Sequence, residues 1–340
     1  MDTLNLVVSQ LEGGRPTSEV LVGPWSPAPK DFGASVARTM SEPAPRLDYR
    51  FLYNAVGSEL FEAITRTPEY YPTRTEASLL ERCAAEMVSR AGSVPIVELG
   101  AGSGRKTSLL LSAAEQLHGS VRYVPVDVSV SALEGALAEL APRHPKADIL
   151  PVHGTYGLAL ELLGSLGPAL GVFLGSSLGN LDETEEHELY RTLAGKLGPD
   201  GAFLLGVDLV KSPGTIERAY DDEAGVTRAF VRNLFARLQR ELGAELDLDG
   251  FDYHARYRSD RQRVELHASL ASGLCLPREG LPPVVVAPGQ EILVEICRKF
   301  ELASLSSRLH RCGLAIEHSA IDPEQHYALL LLRALPATQE

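Results

Sequence analysis

The densest chemistry in this sequence lies in Val97-Glu98-Leu99-Gly100-Ala101-Gly102-Ser103-Gly104, followed directly by Arg105 and Lys106. Glycines at alternate positions let the backbone turn tightly and let a ligand approach it closely. An apolar run over 95–99 precedes the loop, and a helical stretch over 106–114 follows it. Such a strand–loop–helix suits either a dinucleotide pyrophosphate or the amino-acid end of S-adenosylmethionine. The dinucleotide spacing Gly-x-Gly-x-x-Gly fails, because Arg105 stands where its last glycine would fall. The next apolar run ends in Pro125-Val126-Asp127, and a carboxylate at that strand end can accept hydrogen bonds from both ribose hydroxyls.

The elements that must position this loop are legible around it. Between 95 and 210, short apolar runs (95–99, 121–126, 149–152, 169–173 and 202–205) alternate with amphipathic helical stretches, which predicts a parallel sheet with crossover helices. Upstream, Phe51, Leu52, Leu60, Phe61 and Ile64 recur at helical spacing around a Gly57-Ser58 break. An aromatic loop, Pro68-Glu69-Tyr70-Tyr71-Pro72, separates them from a helix expected from about Thr75 to a stop at Gly92. Residues 214–241 read as one long helical region, with Phe230, Leu234 and Leu238 four apart. After 250 the period becomes two: Val264, Leu266, Ala268 and Leu270 alternate with Glu265, His267 and Ser269, and a second alternating stretch covers 291–300. A helix over 303–312 and strands over 314–318 and 327–333 close the chain. Residues 1–45, interrupted by Pro16, Pro24, Pro27, Pro29, Pro43 and Pro45, are expected to form an irregular arm.

Composition narrows the class. A chain of 340 residues is long enough for two domains. A net charge of -13 disfavours nonspecific nucleic-acid binding, which needs surplus Lys and Arg. Cys83, Cys275, Cys297 and Cys312 form no CxxC pair, which fits a reduced, cytoplasmic setting rather than a disulfide framework. His118, His144, His153, His187, His254, His267, His310, His318 and His326 show no metal-ligand spacing, so no metal is expected. The N-terminus lacks a basic signal-peptide region, and no apolar run is long enough to span a bilayer. The chain reads as soluble, without membrane or nucleic-acid partners.

The acidic residue before the first glycine, the Gly-x-Gly-x-Gly loop and Asp127 together resemble class I S-adenosylmethionine-dependent methyltransferases. Longer motifs narrow this. Phe51-Leu52-Tyr53-Asn54-Ala55-Val56-Gly57-Ser58-Glu59-Leu60-Phe61 and Pro68–Glu76 resemble the histidine Nα-methyltransferases of the ergothioneine pathway. So do Phe173-Leu174-Gly175-Ser176-Ser177-Leu178-Gly179-Asn180, Arg218-Ala219-Tyr220-Asp221-Asp222 and Val294-Glu295-Ile296-Cys297-Arg298-Lys299-Phe300. The resemblance covers about residues 48–335. It implies an α/β fold, a class I (Rossmann-like) methyltransferase core over 75–210 and 300–340. A mixed α+β substrate-binding domain would take 1–74 and 211–299. It also implies trimethylation of free L-histidine to hercynine, with S-adenosyl-L-methionine as donor, S-adenosyl-L-homocysteine as product, and action as a monomer.

Roles implied by the resemblance fall on particular residues. Glu98, Gly100, Gly102, Lys106, Asp127, Thr155 and Tyr156 would bind the donor. Asn180 and Tyr220 would hold the acceptor carboxylate, since an amide and a phenol both donate. Tyr70, Glu295 and Cys297 would read the imidazole; positions 295 and 297 share one face of a strand. Tyr53 and Phe61 would flank the reacting amine, Leu266 the side chain, and the Gly175 carbonyl and Ser177 the acceptor loop. Tyr53, Asn180 and Gly175 would stand nearest the chemistry. Without the resemblance, Asn180 reads equally as a turn residue, Tyr220 as a core anchor and Glu295 as an exposed strand charge. There are two departures. His153-Gly154-Thr155-Tyr156 stands where one family member has an acidic residue and some relatives share the Gly-Thr-Tyr; Thr155 would contact the donor's adenine or ribose edge with one charge fewer. Cys297 stands where that member has serine, and a thiol is the weaker donor. An aromatic amino acid or a histidine derivative is therefore an alternative acceptor. A catalytically silent relative and a nicotinamide oxidoreductase are further alternatives.

Overall fold

The computed structural model describes residues 8, 19–23 and 31–336. The chain forms two compact units: one of Met1–Pro27, Pro72–Val210 and Phe300–Glu340, the other of Ala28–Tyr71 and Lys211–Lys299. The second unit opens with helices α1 (Asp31–Thr39) and α2 (Ala55–Ile64). Helix α3 (Tyr71–Ala91), all but its first residue, starts the first unit. There follow β1 (Ile96–Leu99), α4 (Thr107–His118), β2 (Val121–Asp127), α5 (Val130–Arg143), β3 (Ala147–Ile149) and β4 (Val152–His153). Next come α6 (Tyr156–Ser165), β5 (Leu170–Phe173), α7 (Glu183–Lys196) and β6 (Ala202–Asp208). The chain then builds the rest of the second unit. Its helices are α8 (Pro213–Tyr220) and α9 (Val226–Leu242), and its strands are β7 (Glu245–Leu246), β8 (Phe251–Arg258), β9 (Arg263–Leu270), β10 (Leu274–Arg278), β11 (Leu281–Val286) and β12 (Ile292–Arg298). It ends in the first unit with α10 (Leu302–Arg311), β13 (Leu314–Ile321) and β14 (Tyr327–Ala334).

The first unit is one sheet in the order β13-β14-β6-β5-β1-β2-β3, with β4 also paired to β2. β1, β2, β3, β5 and β6 run parallel, and β14 runs antiparallel to both β6 and β13. Every residue of β1, β5 and β6 is buried, as expected of strands covered on both faces. β1 lies between β2 and β5, where the strand order reverses, so the loops after β1 and β5 flank the crevice where such sheets bind ligands. This is the class I methyltransferase arrangement. Among the described residues no helix is long and apolar enough to cross a membrane.

The second unit holds two three-stranded sheets, β11-β10-β7 and β12-β9-β8. Its core gathers Phe230, Val231, Leu234, Phe235 and Leu238 from one face of α9 with Val264, Leu266, Ala268 and Leu270 from β9. The alternation over 264–270 is thus the buried face of β9.

Several elements depart from the expected ones. The arm expected over 1–45 is not irregular throughout: α1 fills the proline-free interval between Pro29 and Pro43, and Phe32, Val36 and Met40 bury into the second unit's core. Leu21 pairs with Val152, so that segment belongs with the first unit and not with residues 28–71. Tyr71 and Pro72 lie in the first turn of α3, ahead of Thr75. There the missing proline N–H costs no helical bond. The region over 214–241 is two helices: Asp222 accepts from the Val226 and Thr227 amides, each at 2.8 Å, and starts α9 afresh after Gly225 at φ 70°. Gly57 does not break a helix but sits inside α2. A Cβ there would fall 1.8 Å from the Leu52 carbonyl oxygen, so only glycine fits.

Candidate active site

The glycine loop takes the conformation that its composition suggests. Gly100, Gly102 and Gly104 have φ of 69°, 52° and 68°, the left-handed region that glycine enters at no steric cost. A Cβ on Gly100 would lie 3.2 Å from the Tyr156 ring, whereas one on Gly102 would meet nothing within 4 Å, so the backbone there borders open space. The Gly102 amide donates to Asp127 Oδ2 at 2.9 Å, and the Ser129 amide donates to Oδ1 at 2.9 Å. Burial raises the Asp127 carboxyl pKa, and these backbone N–H groups oppose that shift. A carboxylate has about four lone-pair sites, so capacity to accept from a ligand hydroxyl remains.

Glu98 is placed differently from a residue facing a ligand. It is 3% exposed, and Thr107 Oγ1 donates to both its oxygens at 2.7 Å, while the Tyr123 hydroxyl donates to Oε2. Burial pushes its carboxyl up to about 7, against the hydrogen bonds from Thr107 and Tyr123. Glu98 therefore ties β1 to α4 and β2 beneath the loop. Thr155 caps α6 without a side-chain hydrogen bond to it, and the Tyr156 ring stands edge-on to Phe173 at 4.9 Å.

Lys106 and Gly175 come together through a residue whose role the sequence does not mark. Glu76 on α3 is fully buried; it accepts from Lys106 Nζ at 2.5 Å, from the Gly175 amide at 2.9 Å and from the Tyr327 hydroxyl at 2.7 Å. One carboxylate thus fixes the start of α4, the turn after β5 and the start of β14. Gly175 has φ 76°, and Ser176 has φ 56°, a strained value for a residue with a Cβ. The Ser176 hydroxyl accepts from the Asp208 amide at 2.9 Å, which holds that turn. Ser177 donates to the Leu174 carbonyl at 3.0 Å, and Asn180 ends the short 3-10 helix Ser177–Asn180.

In the second unit, four expected residues form one aromatic chain. Tyr53 meets Phe61 edge-on at 5.5 Å, Phe61 meets Tyr70 at 6.3 Å, and Tyr70 meets Tyr220 at 5.8 Å. Phe230, absent from the expected set, packs against both Tyr53 (5.4 Å) and Phe61 (6.1 Å). Asn54 caps α2 and accepts from Asn233 on α9 at 2.8 Å, which fixes the start of the helix that carries Phe61. Glu295 pairs in register with Leu266 across β12 and β9, and Cys297 pairs with Val264. All four are buried, and a register irregularity between Leu293 and Glu295 leaves Glu295 and Cys297 on the inner side together. The Tyr253 hydroxyl donates to the Tyr220 carbonyl at 2.5 Å, and Lys299 Nζ donates to the Tyr220 hydroxyl at 2.8 Å. Tyr253 and Lys299 were also outside the expected set. Among the described residues, no group of three or more His, Cys, Asp or Glu side chains is arranged to hold a metal ion.

Comparison with known proteins gives the family. A family model described as histidine-specific methyltransferase, SAM-dependent, matches residues 32–334. The chain is 42% identical over 291 residues to a histidine N-alpha-methyltransferase of Mycolicibacterium smegmatis, covering 85% of this chain and 90% of the relative. It is 39% identical to a histidine N-alpha-methyltransferase of Mycobacterium tuberculosis, covering 78% and 83%. It is 32% identical to ergothioneine biosynthesis protein 1 of Neurospora crassa, over 58% of this chain and 23% of that longer protein. With a sheet of class I order, a positive-φ glycine loop closed by Asp127, and a family match across nearly its whole length, the chain belongs to the S-adenosylmethionine-dependent, histidine-specific methyltransferases.

Proposed function

We propose that this enzyme methylates the α-nitrogen of free L-histidine three times, giving hercynine, as a step towards ergothioneine. The observation that carries the acceptor assignment is Glu295. It is a carboxylate 7% exposed on β12, opposite Leu266, in the unit that also holds the Tyr53–Phe61–Tyr70–Tyr220 aromatic chain. A buried carboxylate opposite an apolar side chain suits an imidazole N–H, and its burial penalises ligands that lack that donor. The similarity to two histidine N-alpha-methyltransferases supports the same acceptor. An aromatic amino acid in its place is not favoured by them.

The first unit's residues fit the donor. The open backbone at Gly102, the remaining acceptor capacity of Asp127, and Gly100, Lys106, Thr155 and Tyr156 around them are proposed to hold it, with Glu98 bracing the loop from beneath. When bound, the donor supplies a methyl group already activated on a sulfonium. The protein's share is then alignment and proton handling. Tyr220 and Asn180 are proposed to donate to the acceptor carboxylate. Glu295, Cys297 and Tyr70 would engage the ring, and Phe61 and Leu266 would wall the side chain. Gly175 and Ser177 would present the acceptor loop. The attacking amine must be neutral, and an α-amino group is largely protonated at neutral pH. The Tyr53 hydroxyl is proposed to relay that proton; its ring is fixed between Phe61 and Phe230. Clamping carboxylate and ring leaves the amine free to rotate between transfers. We take the enzyme to act as a cytoplasmic monomer on this small molecule; its four cysteines are free thiols. Incubation with S-adenosyl-L-methionine and L-histidine should give a product heavier by three methyl units by mass spectrometry. A product stopped at one methyl, or none, would contradict the reading.

A further inference from the structure

Lys299 follows β12 and is 2% exposed. A lysine so deeply buried is uncommon and needs polar partners. Its Nζ donates to the Tyr220 hydroxyl at 2.8 Å and lies 4.6 Å from the centre of the Tyr220 ring. An ammonium offers donors only. The Tyr220 oxygen is therefore the acceptor in this bond, and its own hydrogen is directed away from Lys299. The rest of Tyr220 is held as well. Its backbone carbonyl accepts from the Tyr253 hydroxyl at 2.5 Å, and its ring stands edge-on to Tyr70 at 77°. Burial pushes the Tyr253 phenol well above its ordinary value, with the charges of Asp221 and Glu295 adding to it, so Tyr253 stays a donor at working pH.

We propose that Lys299 is a positioning residue for acceptor recognition: it fixes Tyr220 as a hydrogen-bond donor towards the acceptor's carboxylate and adds a buried positive charge that favours that anion. This rests on the reading of Tyr220 as a carboxylate contact. Donation from the ammonium to the Tyr220 oxygen polarises its O–H, and hydrogen bonds in a chain strengthen one another in this way. The selectivity for a free amino acid over an amine without a carboxylate would then come from a pair of residues rather than from Tyr220 alone.

The test compares L-histidine with histamine, which keeps the ring and amine but lacks the carboxylate. Lys299→Met should raise KM for L-histidine by about 10- to 100-fold, the range of a lost charge-assisted hydrogen bond, and change kcat far less. The inhibition constant of histamine against L-histidine should stay nearly unchanged. Lys299→Arg, which keeps charge and donors, should restore most of the KM. In a Tyr220→Phe background, Lys299→Met should add little, because both changes remove one coupled unit. Unchanged KM for Lys299→Met, equal losses for both ligands, or full additivity with Tyr220→Phe would overturn the proposal. If Tyr220→Phe by itself left the L-histidine KM unchanged, the carboxylate reading of Tyr220 would fall, and this proposal with it. A loss in Tyr220→Phe without one in Lys299→Met sinks only the role of Lys299. If Lys299→Met does not fold, Lys299→Gln replaces it in the same comparison, with the same expected direction.

Discussion

Glu295 is the residue on which the proposed acceptor choice turns most simply. If this buried carboxylate receives the ring N–H as proposed, removing it should cost about 1.5–3 kcal/mol of binding. Glu295→Gln should therefore raise KM for L-histidine by at least about tenfold and leave donor affinity, measured by calorimetry, unchanged. Equal losses in both would mean that the substitution disturbs the fold instead. Cys297, buried on the same strand, presents a weaker donor than a hydroxyl. Cys297→Ser should lower KM for L-histidine several-fold, and an unaltered acceptor profile would remove Cys297 from recognition. Glu98 carries a different consequence. Its carboxyl rises from 4.5 to about 7 in the folded protein, so the native state holds a proton that the unfolded chain releases. Stability from that proton is complete below 4.5 and is lost as pH rises through about 7. Thermal melting should thus fall from about pH 5 to about pH 8 in the parent, and Glu98→Gln should flatten the slope. A variant with the parental slope would assign the titration to another group.

At the scale of elements, α2 and α3 carry the sharper lessons. Glycine in a helix interior ordinarily gives way to alanine with a gain of about 1 kcal/mol. In α2 the sign should reverse, because a Cβ on Gly57 meets the Leu52 carbonyl oxygen at 1.8 Å. Gly57→Ala should lower the melting temperature; a rise would show that the turn between Leu52 and Asn54 yields freely. The helical period over 51–64 was legible in the sequence, but this close approach was not, because it depends on where the preceding 3-10 turn Tyr49–Leu52 ends. Likewise the glycine loop was legible because its backbone conformation demands glycine at each alternate position. Glu76 was not, since Gly175 and Tyr327 reach it from 99 and 251 residues away, and no local pattern encodes that convergence. Phe230, Tyr253 and Lys299 were given no role at the site for the same reason: each reads locally as core or as a strand end. α1 was missed because prolines on both sides outweighed the short apolar stripe between them.

For the whole molecule, the residues proposed to hold the donor lie in one unit, and those proposed to read the acceptor's ring lie in the other. The chain switches between these units at Pro27–Ala28, Tyr71–Pro72, Val210–Lys211 and Lys299–Phe300. Interleaving was expected only through the family resemblance, because the hydropathy period changes near 250, inside the second unit, and no local pattern marks the switches. The proposal that one free amino acid, L-histidine, is the acceptor can be tested directly. The most direct measurement is a competition. The enzyme is given limiting S-adenosyl-L-methionine and an equimolar mixture of free amino acids that includes histidine, tryptophan, tyrosine and phenylalanine, and the products are weighed by mass spectrometry. The account predicts methyl groups on histidine, up to three per molecule, and none on the others. Methylation of another amino acid with histidine left untouched would contradict it.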